Sequence, residues 1–597
     1  MSKEKDLGIM RHSLSHVMAA AVRQLWPDVK FAIGPAIENG FYYDFDFGGV
    51  KISEDDLPKI EEKMREIIKK DLKFERSEVK IDEAIEKEKK SGQIYKEELI
   101  KDLKNDPAFA PASAKATAGK KAPAGKGGKV SYYKLGDFTD LCRGPHVALS
   151  GKLRNAGFKL IKLAGAYWRG DEKNTMLTRI YAVAFVSKKE LEDYLKMMEE
   201  AEKRDHRKLG KELDLFSMHD EGPGFPFFHP KGMIIWNEMI KYWKEEHEKG
   251  GYQEIKTPII LNKRLWEQSG HWDHYKENMY FTKIDEADYA IKPMNCPGGI
   301  LVYKSNPHSY REFPIKMAEI GLVHRHELSG VLNGLLRVRT FNQDDAHIYC
   351  LESQIKDEVI KVIRLIDRIY KTYGLEYRME LSTRPENSMG SEKMWQTAEK
   401  ALASALKEIG GEYKLNPGDG AFYGPKIDFH VKDAIGRTWQ CGTIQLDFTM
   451  PERFDLGYTD KDGKEKRPVM IHRTVYGAIE RFLGVLIEHY AGAFPVWLAP
   501  VQVRLISVGE KHIKFCQKLA EDFRGEDIRV EVDENNETVG NKIRKAVGEK
   551  IPYVLVVGDK EMGSKKLAVR DRGSREAREI KKDKFIKEVK EKIRDKK

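Results

Sequence analysis

Cysteine is scarce in this chain: five in 597 residues, at 142, 296, 350, 441 and 516, widely spaced and odd in number. That argues against a disulfide framework and for a reducing cytoplasm. Long apolar runs are missing as well. No stretch approaches the roughly 18 apolar residues that a membrane-spanning helix needs, which leaves no membrane partner to look for. The opening MSKEKDLGIMRHSLSH has no apolar segment of the kind a secretory leader carries. Neither the G-x-G-x-x-G fingerprint nor a P-loop pattern offers a nucleotide site. Charge of one sign is not in large excess either: the net +10 permits a polyanionic partner without demanding one.

What is present is a long, charged chain. At 597 residues, 41% hydrophobic and 34% charged, it is too large for one core, and about three domains are expected. Residues 1–187 alternate helix and strand signals, with a charged amphipathic helical pattern from Ser53 to Lys90. Within them, 106–129 turns to Ala, Gly, Pro and Lys with little to bury, the composition of a flexible loop. Residues 188–215 read as a charged linker helix, and 216–499 as a central α+β domain. From 500 to 597, VQVRLISVG, IRVEVD and PYVLVVGD alternate with helical stretches, which predicts a small α/β domain with a mostly parallel sheet. Phe585, Ile586, Val589 and Ile593 make one apolar stripe on its last helix.

Three groups of residues carry chemistry. In RHSLSH and DLCRGPH, His12 and His16 are four apart, as are Cys142 and His146. On a helix the first pair shares a face. The set suits tetrahedral zinc, a metal-free hydrolytic pocket in which imidazoles position water, or a surface helix beside a buried thiol. The second group is PIKMAEIGLVHRHELSG followed by LRVRTFNQDDAHIYC, with the charged stretch from Arg325 to Cys350 inside it, and it reads as two antiparallel strands joined by a loop. Arg325 offers a fork that matches phosphate or carboxylate oxygens, Glu327 can accept from an exocyclic amine, and Phe341 can stack on a base. Ordinary cross-strand ion pairing is the alternative. The third group is scattered: Cys296 in a tight turn in KPMNCPGG, His347 in DDAH, and His472 in MIHRTVYGAIERF. A Cys-His-His set leaves one position on zinc open to substrate, but spacing alone does not bring these three together.

In combination these segments resemble the class II aminoacyl-tRNA synthetases, and within them the threonyl-tRNA synthetases of bacterial type, from His12 to the C-terminus. GGYQEIKTPII, with Pro258, is similar to motif 1, the family's dimer-interface element. Arg325–Cys350 resembles motif 2, and VYGAIERFLGVLIEHY, with Arg481, resembles motif 3. The resemblance implies an antiparallel-sheet catalytic core, an N-terminal α/β editing domain and a C-terminal α/β anticodon-binding domain. It implies a homodimer, cytoplasmic location, and ligation of L-threonine to tRNA(Thr) through threonyl-adenylate, with Mg2+ bound to ATP. By the same resemblance Arg325, Glu327, Arg337, Phe341 and Arg481 bind ATP, and Arg325, Arg481, His271 and Gln343 act in catalysis.

Cys296, His347 and His472 match the family's zinc ligands. Asp345, Tyr423, Lys426 and Gln440 match residues around threonine, Asp345 accepting from its hydroxyl. A site built on that hydroxyl rejects valine, but serine lacks only a methyl, worth roughly 1–3 kcal/mol, so a second hydrolytic site is expected. His12, His16, Lys96, Asp140, Cys142 and His146 match the family's pocket for clearing seryl-tRNA(Thr), which is thought to work with water and no metal. Glu561 and Arg570 match anticodon contacts. By the same resemblance the small domain that usually precedes the editing domain is expected to be absent, the 106–129 segment is foreign to the family, and Asn333 and Thr340 replace the common His and Gly of motif 2. An RNA-binding paralogue without aminoacylation and an editing hydrolase are the alternative functions.

Overall fold

The computed structural model describes residues 2–105 and 128–597. They form two compact units, 1–199 and 200–597, whose division falls inside the helix Lys188–Lys203. The segment expected as a flexible loop, 106–129, lies outside the described residues except for its last two; Lys129 opens a strand.

In the first unit the helix Ser2–Leu25 packs Leu14, Val17, Met18 and Ala21 against an antiparallel sheet. The longest strands of that sheet, Gly40–Asp46, Met176–Phe185 and Gly157–Tyr167, lie side by side. A second antiparallel sheet joins Phe74–Lys80, Lys129–Leu135 and Phe138–Leu141. The amphipathic pattern of Ser53–Lys90 is not one helix. It divides into Leu57–Lys69, the strand Phe74–Lys80 and Ile81–Lys90, because FERSEVK gains a long-range partner strand that its charge pattern does not announce.

The second unit is built on an eight-stranded sheet. From one edge the strands are Gln253–Glu254, Ile315–His324, Thr340–Cys350, Val469–Ala478, Thr438–Asp447, Lys426–Lys432, Glu376–Ser382 and Tyr413–Asn416. Pairing is antiparallel except at the two edges. One face is covered by the helices Pro230–Lys249 and Ile355–Thr372, with Trp243, Met239, Ile363 and Ile366 in a single large apolar core. The other face carries the polar residues considered below.

The C-terminal segment centres on three parallel strands, Val530–Asp533, Val503–Ser507 and Tyr553–Val557. Two further strands, Lys566–Asp571 and Arg578–Lys581, run antiparallel, so the sheet is mixed rather than mostly parallel. The reason is connection length: a short turn joins the last two strands, and a parallel pair would need a crossover. Phe585 and Val589 of the last helix are fully buried against this sheet. Ion pairs tie the segment to the helix Pro230–Lys249: Arg529 with Glu238 at 2.6 Å and Lys231 with Glu549 at 2.9 Å. Among the described residues no helix is long and apolar enough to cross a membrane.

Candidate active site and editing pocket

Register builds the first site. Met317, His347, His472 and Gln445 stand opposite one another across four strands, so their side chains share one face. Glu319, Asp345, Thr474 and Thr443 form the next row. The rings of His347 and His472 are 5.0 Å apart and nearly perpendicular. Cys296 reaches them from the first turn of the helix Cys296–Lys304 rather than from a tight turn. Pro297 fits that first turn, where its missing N–H costs nothing. Gly299 keeps the helix close: a Cβ there would stand 3.3 Å from His347 Nδ1.

One donor atom from each of Cys296, His347 and His472 lies within 4.8 Å of the others, and all three residues are buried. His347 Nε2 has no hydrogen-bond partner, an expensive state for a buried nitrogen. His472 donates Nε2–H to Asp447 Oδ2 at 2.9 Å, which leaves Nδ1 free to coordinate. Asp447 is itself held, its Oδ1 accepting from the backbone of Thr449 and Met450. A thiol, an orphaned imidazole and a carboxylate-backed imidazole fit zinc. Asp345 lies beside them, its Oδ1 3.7 Å from His347 Nε2, and burial pushes its carboxyl up to about 6. Tyr423 hydrogen-bonds Gln445, and its ring centre is 5.0 Å from that of His472. His271 is fully buried between Ser269 Oγ at 2.8 Å and Met294 Sδ at 2.9 Å, and burial lowers its pKa to about 3. It is therefore a neutral imidazole at physiological pH.

The arginines gather at the end of the same sheet. Arg325 stands over the Phe341 ring at 5.0 Å and donates to the Pro293 carbonyl. Phe341 packs in a small cluster with Val323 and Val338. Arg481, in the first turn of the helix Ile479–His489, donates to the carbonyls of Leu336 and Gln440 at 2.8 and 3.2 Å. Burial lowers its pKa, and the charges of Arg325 and Arg337 push the same way. Clustered guanidinium groups without a full complement of carboxylates are a receptor for an anion. Glu327 accepts from Arg337 Nη2 and Nε at 2.9 and 3.1 Å. Lys426 Nζ pairs with Asp428 at 3.0 Å, and Gln440 donates to the same carboxylate at 2.8 Å. Gly477, at φ +74°, sets the turn into the Arg481 helix, and a Cβ there would strike the Cys441 carbonyl at 2.4 Å.

Several residues that shape this site escape sequence reading. Asp344 lies on the reverse face, where its carboxylate accepts from Trp243 Nε1 and from the backbone N–H groups of Val475 and Gly477. Lys292, Glu319 and Thr257 make a buried network beside Asp345, with Lys292 Nζ 3.0 Å from Glu319 Oε1. Asp447, Asp428 and Asn295 also belong to this group. Asp428 and Asp447 leave only a lone carboxylate among apolar residues as a signal, and the others leave no pattern of their own. The Asp205, His206 and Glu488 cluster is structural: His206 Nδ1 binds Glu488 and its Nε2 accepts from Leu335 N–H, so no nitrogen remains for an ion.

The second site lies in the first unit. One donor from each of His12, His16, Cys142 and His146 falls within 4.8 Å of the others. Cys142 Sγ is 3.3 Å from both His12 Nε2 and His146 Nε2. Ser13 Oγ is 3.3 Å from His146 Nδ1, and the Pro145 carbonyl accepts from His12 Nδ1 at the same distance. Asp140 anchors the floor: Oδ1 pairs with Lys96 Nζ at 2.6 Å, Oδ2 accepts from Tyr43 OH at 2.5 Å, and His16 Nε2 is 3.9 Å away. Burial lowers the pKa of His12, His16 and His146 and raises Cys142 to about 12. The pocket therefore holds neutral imidazoles and a thiol, not a thiolate nucleophile.

In the C-terminal segment, Glu561 lies in the short helix Asp559–Met562 and accepts from Gly558 N–H. Arg570 lies in the strand Lys566–Asp571, opposite Val554.

The antiparallel sheet with its cluster of arginines, followed by a mixed α/β segment, falls with the class II aminoacyl-tRNA synthetases in comparisons with known proteins. Residues 280–490 match the tRNA synthetase class II core domain (G, H, P, S and T), 502–592 the anticodon binding domain, and 130–181 the threonyl and alanyl tRNA synthetase second additional domain. Over 595 residues, 99% of this chain and 90% of the relative, the sequence is 59% identical to the threonine-tRNA ligase of Carboxydothermus hydrogenoformans. It is 58% identical, with the same coverage, to that of Clostridium botulinum strain Kyoto. A solved structure described as the RNA binding domain of threonyl-tRNA synthetase from Cryptosporidium parvum aligns with a TM-score of 0.63 at 41% identity, over 65% of this chain and 98% of that one. The chain belongs to the threonine-tRNA ligase family. Threonine, ATP and tRNA are its substrates.

Proposed function

We propose that the chain joins threonine to tRNA through threonyl-adenylate, selects threonine over valine at a zinc-containing cleft, and clears seryl-tRNA in its first unit. The observation that carries this reading is the convergence of Cys296, His347 and His472 beside Asp345, next to the arginine cluster. Zinc bound there would take the amino and hydroxyl groups of threonine. Asp345 accepts a hydrogen bond from the hydroxyl, so valine leaves one oxygen of a buried carboxylate without that partner. Arg325 neutralises charge at the α-phosphate as the amino-acid carboxylate attacks it, with pyrophosphate departing. Arg337 and Arg481 hold the distal phosphates, helped by magnesium. Glu327 and Phe341 receive adenine, with Glu327 released from Arg337 as ATP enters. Gln343, Tyr423, Lys426 and Gln440 line the cleft. His271, neutral and buried, assists proton removal when the threonyl group passes to the tRNA hydroxyl.

For clearing, His12, His16 and His146 hold water against the ester, Lys96 and Asp140 fix the pocket floor, and Cys142 takes part as a neutral thiol. No metal is required there. Glu561 and Arg570 contact anticodon bases. The motif 1 segment supplies a homodimer contact, and the cytoplasm is the compartment. The domain limits 1–187, 188–215, 216–499 and 500–597 correspond to editing, linking, catalysis and anticodon binding. Threonine-dependent ATP–pyrophosphate exchange tests the reading: it is expected in zinc-replete protein and lost on chelation, and its absence from a folded, zinc-replete sample would overturn it.

A further inference from the structure

Asn295 occupies the N-cap of the helix Cys296–Lys304. An asparagine there ordinarily turns its side-chain oxygen onto the second or third backbone N–H of the helix. Asn295 makes no such bond. Its side chain is fully buried and points elsewhere: Nδ2 donates to Asp345 Oδ2 at 3.4 Å, and Oδ1 has no partner at all. The orientation is fixed by chemistry, because a carboxylate can only accept and so must face the amide nitrogen. The seat of this amide is the notch left by Gly321. A Cβ at 321 would stand 2.1 Å from Asn295 Oδ1. Gly321 is not among the residues with positive φ, so space rather than backbone conformation calls for glycine there.

Across the strand pair, Gly321 stands opposite Gln343, whose buried Oε1 is also without a partner. Two neutral acceptors, one at the N-cap of the helix Cys296–Lys304 and one on the strand Thr340–Cys350, thus remain unused beside Asp345, in a place where unused acceptors are costly. They fit a nitrogen that still carries hydrogens. An amine that coordinates a metal must be unprotonated, yet it keeps two N–H bonds that need acceptors in a dry site. Amide oxygens meet that need without favouring the ammonium form, as a second carboxylate would.

We propose that Asn295 is a specificity-determining residue: its Oδ1, with Gln343 Oε1, receives the amino-group hydrogens of the amino-acid substrate, while its Nδ2 holds Asp345 toward the side-chain hydroxyl. This rests on the proposed reading of the cleft as the threonine site. The test is calorimetric binding of L-threonine and, separately, of ATP to the full zinc-loaded chain, with zinc content and melting temperature recorded for each variant. Asn295→Ala should weaken threonine binding about 10- to 100-fold while ATP affinity stays within about twofold and zinc is retained. Gly321→Ala, which fills the seat and displaces the amide while leaving residue 295 an asparagine, should reproduce the selective defect. Threonine affinity within about twofold of the parent in a folded, zinc-retaining Asn295→Ala chain would overturn the proposal. Parallel loss of threonine, ATP and zinc in both variants would make Asn295 merely structural and overturn it equally. If the parent chain itself binds no threonine, the cleft assignment falls, and that outcome is separate from a parent and variant that bind alike.

Discussion

Asp447→Asn changes one atom and tests how the proposed Cys296, His347 and His472 site would hold zinc. Asp447 is fully buried; Oδ2 accepts from His472 Nε2 at 2.9 Å, and Oδ1 accepts from Thr449 and Met450 N–H at 2.7 and 3.0 Å. Two backbone donors fix which side of the asparagine must be oxygen. The new NH2 group then faces His472 Nε2, where two donors meet. The imidazole escapes by moving its proton to Nδ1, the nitrogen needed for the metal. Losing such an outer partner costs about 10- to 100-fold in metal affinity, or roughly 1.4–2.7 kcal/mol. Zinc affinity measured against a competing chelator should fall by that factor, with ATP binding unchanged. Parent-like zinc affinity in a folded Asp447→Asn chain would refute the tautomer argument.

Other outcomes follow from the same geometry. Lys96→Met leaves Asp140 buried against Tyr43 alone and should destabilise the first unit by about 3–5 kcal/mol, whereas Lys96→Met with Asp140→Asn should recover most of that by thermal unfolding; both should accumulate seryl-tRNA. Arg481→Lys keeps charge but loses the planar fork held by Leu336 and Gln440, so kcat/KM for ATP should drop about 10- to 100-fold with threonine affinity little changed. The lowered pKa values of His12, His16 and His146 mean that the folded chain resists protons the unfolded chain accepts near pH 6.5. Their contribution to stability is present above that pH and is lost as pH falls toward the folded values. Seryl-tRNA deacylation should accordingly show no imidazole titration between about pH 6.5 and 8; a step in that window would show a charged imidazole in the pocket.

Local patterns made part of this legible. His12 and His16 advertise a shared helix face through their spacing, and alternation in Ile315–His324 and Thr340–Cys350 announces two strands. Long-range register is another matter. His347 and His472 are neighbours only because Thr340–Cys350 pairs with Val469–Ala478, a fact that no local window contains. Here the family resemblance supplied the grouping that spacing could not. The strand inside Ser53–Lys90 stayed hidden for the same reason: its partner, Lys129–Leu135, is remote. Asp447 and Asn295 escaped because each is a single polar residue whose importance depends on what stands across from it.

Elemental analysis of the purified full chain and two variants tests the central claim most directly. The account predicts about one zinc per chain, retained in Cys142→Ser and lost, together with threonine-dependent pyrophosphate exchange, in Cys296→Ser. Zinc unchanged in a folded Cys296→Ser chain, or exchange that persists without it, would contradict a metal-based selection of threonine.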